Sequence, residues 1–342
     1  MRKIKWLAAV LCLGAVLLSS CGKKQVEPIV PQTGDAALRE VQTLASCTEE
    51  LTVWSAYWDC ADDIDVLRQS SGQVRAVSLF AASFEDGQLV LPDATSRMLK
   101  KLGRGESTKN IQVYLSVVND VVQDGETIQK DTEILHTLLG TEEGAQAHAQ
   151  ELVQTAKDNG CDGIEIDYEK IRSDIDLWQD FLRFEDALLS EAQKVGLSVR
   201  VILEPSTPVE QLAFPDGAEY VVMCYNLYGN GTEPGPKADQ AFLKEMYQKF
   251  AGLPNLSFAL ANGGYDWVDG TQTAQSLTAE QAVALCDGTP ERDADSGALH
   301  FTYKDGGKTH TVWYADETTL QTWAECLNAV SGGKVKVSLW RL

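Results

Sequence analysis

Asp162-Gly163-Ile164-Glu165-Ile166-Asp167-Tyr168-Glu169 is the stretch on which the reading of this chain turns. Side chains alternate across a strand, so Glu165, Asp167 and Glu169 share one face while Ile164, Ile166 and Tyr168 share the other. Successive carboxylates then stand about 6 to 7 Å apart, close enough to shift one another's proton affinity once water is partly excluded. Crowding of that kind favours one protonated carboxyl near neutral pH, which is what a general acid needs. An amphipathic strand with a solvated acidic face would alternate in the same way. What surrounds the octapeptide separates the two.

Apolar or β-branched runs recur at 51–58, 74–81, 111–118, 163–168, 197–203, 220–225, 256–261 and 335–340. Helical patterns fill most of the intervals, at 93–102, 128–139, 144–157, 175–195, 238–250 and 319–330. Ser173 with Asp176, and Thr278 with Gln281, have the spacing of capping boxes at helix starts. Strand and helix alternating in this way predict an α/β fold, a (β/α)8 TIM barrel. Barrel strands are covered on both faces, so a carboxylate-rich inner face must line a site. Catalytic groups in that fold sit at the C-terminal ends of strands, and Glu169 ends the fourth. Residues 268–314 are too many for a simple connection. A helix around 279–286 and two β-like pieces, 300–304 and 309–314, joined through Asp305-Gly306-Gly307, predict an excursion between strands seven and eight.

The N-terminus has Arg2, Lys3 and Lys5, an apolar run from Trp6 to Leu18, then Ser19-Ser20-Cys21. That is the layout of a secretory signal over residues 1–20. Leu18-Ser19-Ser20-Cys21 also resembles a bacterial lipobox, which implies lipidation of Cys21 and an exported protein held at the bacterial cell surface, its lipid in the membrane. From Lys23 to about Ala37 the chain reads as a tether, with Pro28, Pro31 and Gly34 among polar residues. Residues 21–48 are therefore expected to be tether and linker, and 49–342 the folded domain.

The formal net charge is −21, and removing residues 1–20 deletes three positive charges and no negative one, giving −24. Acidity on this scale argues against nucleic acid as a partner and against electrostatic attraction to anionic membranes. Beyond Cys12 and Cys21 there remain Cys47, Cys60, Cys161, Cys224, Cys286 and Cys326, without zinc-type spacing. Cys161 and Cys224 adjoin strands and are expected to be buried; a Cys47–Cys60 bridge is open to an exported protein. His136, His148, His300 and His310 show no ligand spacing, and no GxSxG elbow or phosphate-binding loop occurs. The acidic strand stands without a rival motif.

The octapeptide resembles the strand-four signature of glycoside hydrolase family 18, the chitinases and endo-β-N-acetylglucosaminidases, whose pattern is DGxDxDxE. Asp162, Asp167 and Glu169 match it, and Glu165 stands where the family usually has aspartate. Met223-Cys224-Tyr225-Asn226 resembles the strand-six MxYD segment, with asparagine in place of aspartate, and 335–340 resembles the last strand with its floor tryptophan, Trp340. Gly264-Tyr265-Asp266-Trp267, Val312-Trp313-Tyr314-Ala315-Asp316 and Pro234-Gly235-Pro236 are similar to segments of the spore-germination peptidoglycan hydrolases. The resemblance covers roughly residues 50 to 342.

It implies a retaining, substrate-assisted hydrolysis of β-1,4-linked N-acetylglucosamine glycans, in which the substrate's own acetamido oxygen attacks the anomeric carbon. Carried over by position, Glu169 protonates the glycosidic oxygen and later activates water. Asp167 orients the acetamide, with Glu165 as its proton-sharing or charge-supporting neighbour. Tyr225 donates to the acetamido oxygen, Trp340 stacks under the ring, and Asn226 can bond the sugar or Asp167. No metal or organic cofactor is expected, because the acid catalysis and substrate participation that the resemblance implies suffice. Tyr265, Asp266 and Trp267, at the mouth end of strand seven, are expected to bind substrate. Trp54, Tyr57 and Trp58 fit either a sugar platform or the core. The glycan partner is peptidoglycan, chitin-type oligosaccharide or N-glycan core, with the subgroup segments favouring the first. The alternative is a glycan-binding protein that kept the cleft and lost turnover, since Glu165 and Asn226 both depart from the pattern.

Overall fold

A computed structural model of the chain describes residues 34–102 and 107–342. Within them the predicted α/β barrel is present. Its strands are β1 (Leu51–Ala56), β2 (Ala76–Glu85), β3 (Gln112–Gln123), β4 (Gly163–Asp167), β5 (Ser198–Leu203), β6 (Ala218–Met223), β7 (Leu256–Ala261) and β8 (Val337–Trp340). Each pairs in parallel with the next, and β8 pairs with β1, so the ring closes.

The acidic strand keeps its alternation. Ile164, Ile166 and Tyr168 face outward into the main apolar cluster, where helices Glu142–Asp158 and Ile175–Val195 cover them. Tyr168 is pinned there by a hydrogen bond of 2.7 Å to His148. Gly163 has a steric reason to be glycine, because a Cβ at that position would come within 2.4 Å of the Tyr114 ring. Cys161 and Cys224 are buried as expected, whereas Cys47 and Cys60 are free thiols rather than a bridge.

Several local features differ from the sequence reading. Residues 34–47, expected to be linker, form a helix packed on helix Glu317–Ser331. Ala37, Val41 and Leu44 recur at helical spacing on its buried face. Complete burial of Val41 and Leu44 stabilises the contact by about 1.5–3 kcal/mol each, which is why the helix docks rather than trailing as a tether. Asp174, not Ser173, caps helix Ile175–Val195, accepting from the Leu177 amide at 3.0 Å, because the helix begins one residue later than a Ser173 cap would set it. Thr278 and Gln281 do form the capping box.

Two hairpins were also missed. β2 and β3 run past the barrel rim and fold back through Asp86-Gly87 and Asp124-Gly125, all four with positive φ, the backbone that two-residue hairpin turns require. The second return strand, Glu126–Ile128, occupies the start of what read as a helix, and the helix itself spans Thr132–Leu139.

The excursion is a five-stranded antiparallel sheet, ordered 274–277, 263–268, 308–315, 299–305, 291–292, with helix Ala279–Leu285 packed on it. It begins at Gly263, directly after β7, earlier than the expected 268. A Cβ on Gly264 would lie 1.8 Å from the Trp313 carbonyl oxygen, so the close approach of these two strands needs glycine.

Candidate active site

Glu165 and Asp167 point into the barrel from β4, and Glu169 follows just past its C-terminal end. Glu165 is fully buried, and both of its oxygens are engaged: Trp54 Nε1 donates to Oε1 at 2.6 Å and Ser78 Oγ to Oε2 at 2.7 Å. Arg200, its register partner on β5, places Nε 3.4 Å from Oε2. Arg200 is itself fully buried, lies over the faces of Trp54 and Tyr114, and donates to Ser338. All three partners of the Glu165 carboxylate are themselves buried.

Asp167 is 8% exposed, and its carboxyl makes no hydrogen bond among the described residues, its Oδ1 being buried without a partner. Burial raises its pKa well above the ordinary carboxylate range, and the charge of Glu169 adds to the effect.

Glu169 is held by its backbone. Asn119, buried on β3, accepts from the Glu169 amide at 2.9 Å and donates to the Glu169 carbonyl at 3.1 Å. The same side chain donates to the carbonyl of Asp131, fixing the far end of the β3 hairpin. That hairpin delivers Lys130, whose φ of 57° turns it back over the mouth and whose amide is held by Asp120. Lys130 Nζ makes an ion pair with Glu169 Oε2. Glu169 is raised by burial, with Lys130 pulling in the opposite direction.

Tyr225 lies just beyond β6, half-buried against the cluster of Trp54, Ile202, Val221, Met223 and Ala259. Burial raises its hydroxyl far above the usual range, and Asp167 and Glu169 act on it next, so it stays a neutral donor. Trp340 ends β8 with its ring 4.8 Å from Phe80, 5.8 Å from Trp54 and 6.4 Å from Trp58, in an aromatic wall beside the carboxylates. Asn226 is exposed.

The three residues after β7 separate. Tyr265 belongs to the carboxylate neighbourhood: its charge state acts on Tyr225, Lys130 acts on it, and the Lys237 ammonium lies 5.3 Å from its ring centre. Asp266 is buried and occupied by Tyr303 and His310, at 2.7 and 2.9 Å. Trp267 has no exposed surface and packs 5.6 Å behind Tyr265, so it is not placed to touch a substrate directly. Alternation turns Asp266 to the face opposite Tyr265, whereas Trp267 shares the Tyr265 face and lies buried behind that ring.

Three residues of this site do not stand out in the sequence by motif or spacing: Asn119, Lys130 and Arg200. The Asp124-Gly125 turn, flanked by β-branched residues, was the signal that would have extended β3 and placed Lys130 at the mouth. Cys21 lies outside the described residues. A separate hollow of about 670 Å³ opens at the opposite end of the barrel, among the strand starts near Thr52, Ala76 and Ser198, away from the carboxylates.

No family model matches the chain, and no curated protein matches it. Solved structures do. The spore cortex-lytic enzyme SleL of Bacillus megaterium superposes with a TM-score of 0.70 at 17% identity, over 86% of this chain and 70% of that one. A chitinase from Chromobacterium violaceum gives 0.68 at 20% identity, over 86% and 94%. A class V chitinase from Nicotiana tobaccum, solved in complex with NAG4, gives 0.63 at 15% identity, over 85% and 93%. At these identities the likeness is one of fold.

Proposed function

We propose that this chain is a glycoside hydrolase of the family 18 type, cleaving β-1,4 bonds after N-acetylglucosamine with retention, and that its substrate is peptidoglycan or, failing that, chitin-type oligosaccharide or N-glycan core. The observation that carries this is the placement of Asp167 and Glu169, neighbours on one edge of the mouth, with Tyr225 beside them. Two carboxylates on one side of a sugar cannot act as acid and opposed nucleophile. A nucleophile within the substrate meets that geometry. The same fold in cortex-lytic enzymes and chitinases supports the class of reaction.

In the first step the acetamido oxygen attacks C1, the C1–O bond breaks, and Glu169 gives its proton to the leaving oxygen. Asp167 and Tyr225 bond the acetamido nitrogen and oxygen and stabilise the positive oxazolinium ring. In the second step Glu169 takes a proton from water, which attacks C1 and restores the β configuration. At rest the carboxyl pair acts as a unit. Burial favours a proton on Asp167, while Lys130 favours the carboxylate form of Glu169. Turnover needs a proton on Glu169, and a ligand that bonds Asp167 releases one.

The Lys130 pair favours a second reading, a glycan-binding protein in which Glu169 is held as an inert anion. The test compares the full-length chain with Glu169→Gln on peptidoglycan strands and N-acetylglucosamine oligomers, with products identified by mass and anomer. Products from the parent alone support the hydrolase. Binding by both with cleavage by neither replaces it with the lectin-like reading. Export and lipidation at Cys21 belong to the same proposal and are tested by the mass of the mature N-terminus. An unmodified N-terminus would remove the membrane from the account.

A further inference from the structure

Beside the mouth, between β1 and helix Asp93–Leu102, lies a recess of about 310 Å³, lined by Tyr57, Trp58, Cys60, Arg97, Met98 and Lys101. Its composition is unusual for this chain. The protein carries a net charge of −21, yet two cations open here onto two aromatic rings. Arg97 and Lys101 stand one helical turn apart and so share a face. Neither makes an ion pair or hydrogen bond among the described residues, although both act on the Cys60 thiol across the recess. The acid in the lining, Asp59, is already taken by Arg341. Nearby Asp63 is buried and hydrogen-bonded to Ser55.

Trp58 joins the recess to the cleft. It is 46% exposed, with Tyr57 beside it at 44%. One side of its ring meets Tyr57 at 4.9 Å and the other contacts are Phe80 at 5.7 Å and Trp340 at 6.4 Å. A glycan leaving the aromatic wall over Trp58 would therefore pass along the recess, with Arg97 and Lys101 in reach of its substituents. A neutral oligosaccharide would use the rings and leave both cations idle. A carboxylate on the strand would use both.

We infer that this recess is a subsite for a carboxylate borne by the glycan, so that the preferred substrate is an acidic amino-sugar strand rather than a neutral one. This rests on the proposed glycosidase reading and narrows it. The carboxylate has two sources in such polymers: a lactyl ether on the sugar, or a peptide attached to it.

The test measures binding to the full-length Glu169→Gln protein, which retains ligand. The probes are peptide-free strands with lactyl carboxylates, the same strands with those groups reduced to alcohols, strands with peptides attached, and neutral N-acetylglucosamine oligomers of equal length. The expected result at low salt is about tenfold tighter binding of carboxylated over reduced strands, from two solvent-exposed ion pairs. That margin shrinks as salt is added. Arg97→Gln with Lys101→Gln removes the margin and leaves neutral oligomers bound as before; Arg97→Glu with Lys101→Glu reverses it. Tighter binding of peptide-bearing than of peptide-free strands assigns the carboxylate to the peptide, and the opposite order assigns it to the sugar. Equal affinity for carboxylated and reduced strands, or a margin that survives the paired substitutions, overturns the inference. Failure to bind the neutral oligomers as well overturns the glycosidase reading beneath it.

Discussion

Lys130 sets its ammonium on the carboxylate of Glu169, the group proposed to act as acid. The lysine is 37% exposed and the glutamate 14%, so the pair sits at the edge of solvent rather than in the core. Burial works against the ammonium, but the Glu169 charge and hydrogen bond outweigh it and raise the Lys130 pKa. The reciprocal pull opposes burial at Glu169, whose pKa burial nonetheless leaves raised. Because the acid must be protonated to act, kcat/KM falls as pH rises through the Glu169 pKa. Lys130→Met removes a downward influence, so the alkaline limb of the profile is expected to move to higher pH. A limb that stays in place would separate Lys130 from the acid's titration.

Glu185 offers a pH effect remote from the mouth. It accepts from the Tyr220 hydroxyl on one oxygen and leaves Oε2 buried without a partner. Burial raises it from an ordinary value of 4.5 to about 8. A carboxyl whose folded pKa is raised holds its proton more tightly in the native state, so its stability contribution is complete below about 4.5 and is lost as pH rises to about 8. Glu185→Gln keeps an acceptor for Tyr220 and carries no charge. Its melting temperature should match the parent's at pH 4, pull ahead as pH rises towards 8, and hold a steady lead above it. Parallel curves throughout would show that Glu185 does not bury a titrating proton.

What was legible in sequence follows from period. The eight strands and the long helices carry either β-branched runs or helical spacing over ten or more residues, and the octapeptide shows its two faces directly. Hairpin extensions and docking contacts were harder. The Gln88–Val90 and Glu126–Ile128 returns are three residues each, too short for periodicity, and only their Asp-Gly turns mark them. Arg200 sits in a run, Ser198–Leu203, that reads as a plain buried strand, and nothing local discloses that its charge meets Glu165. Trp267 illustrates the converse: aromatic content beside a strand end suggests a site, whereas the neighbouring excursion sheet buries it.

The Arg200 and Glu165 pair gives a stability prediction. Both are at 0% exposure, so neither charge has water to fall back on. Replacing Arg200 by Met leaves a buried carboxylate with two hydrogen bonds and no cation, and breaking a buried pair from one side costs about 3–5 kcal/mol. Urea unfolding should show that loss as a lower midpoint at unchanged slope. Adding Glu165→Gln to Arg200→Met should recover a large share, since the stranded charge is then gone while Trp54 and Ser78 keep an acceptor. A single substitution as stable as the parent would show that the Arg200 contact with Glu165 does not stabilise the fold.

Tyr225 and Trp340 should separate in kinetics. The Tyr225 phenol is kept neutral by burial and by the carboxylates nearby, and in the proposed mechanism it donates to an acetamido oxygen whose role changes as the oxazolinium ring forms. An interaction that strengthens in the transition state appears in kcat. Tyr225→Phe removes the donor and keeps the ring, so kcat should fall by about 10²-fold, the scale of one lost donor at a developing charge centre, with KM little altered. Trp340 offers a stacking face that serves ground and transition states alike, and Trp340→Ala should mainly raise KM. A thiazoline analogue of the intermediate adds a second readout: it should inhibit the parent and lose at least tenfold in affinity for Tyr225→Phe, because that hydroxyl bonds the ring directly. Equal inhibition of parent and variant, with kcat unchanged, would move Tyr225 out of the reaction and into the packing against Trp54 and Met223.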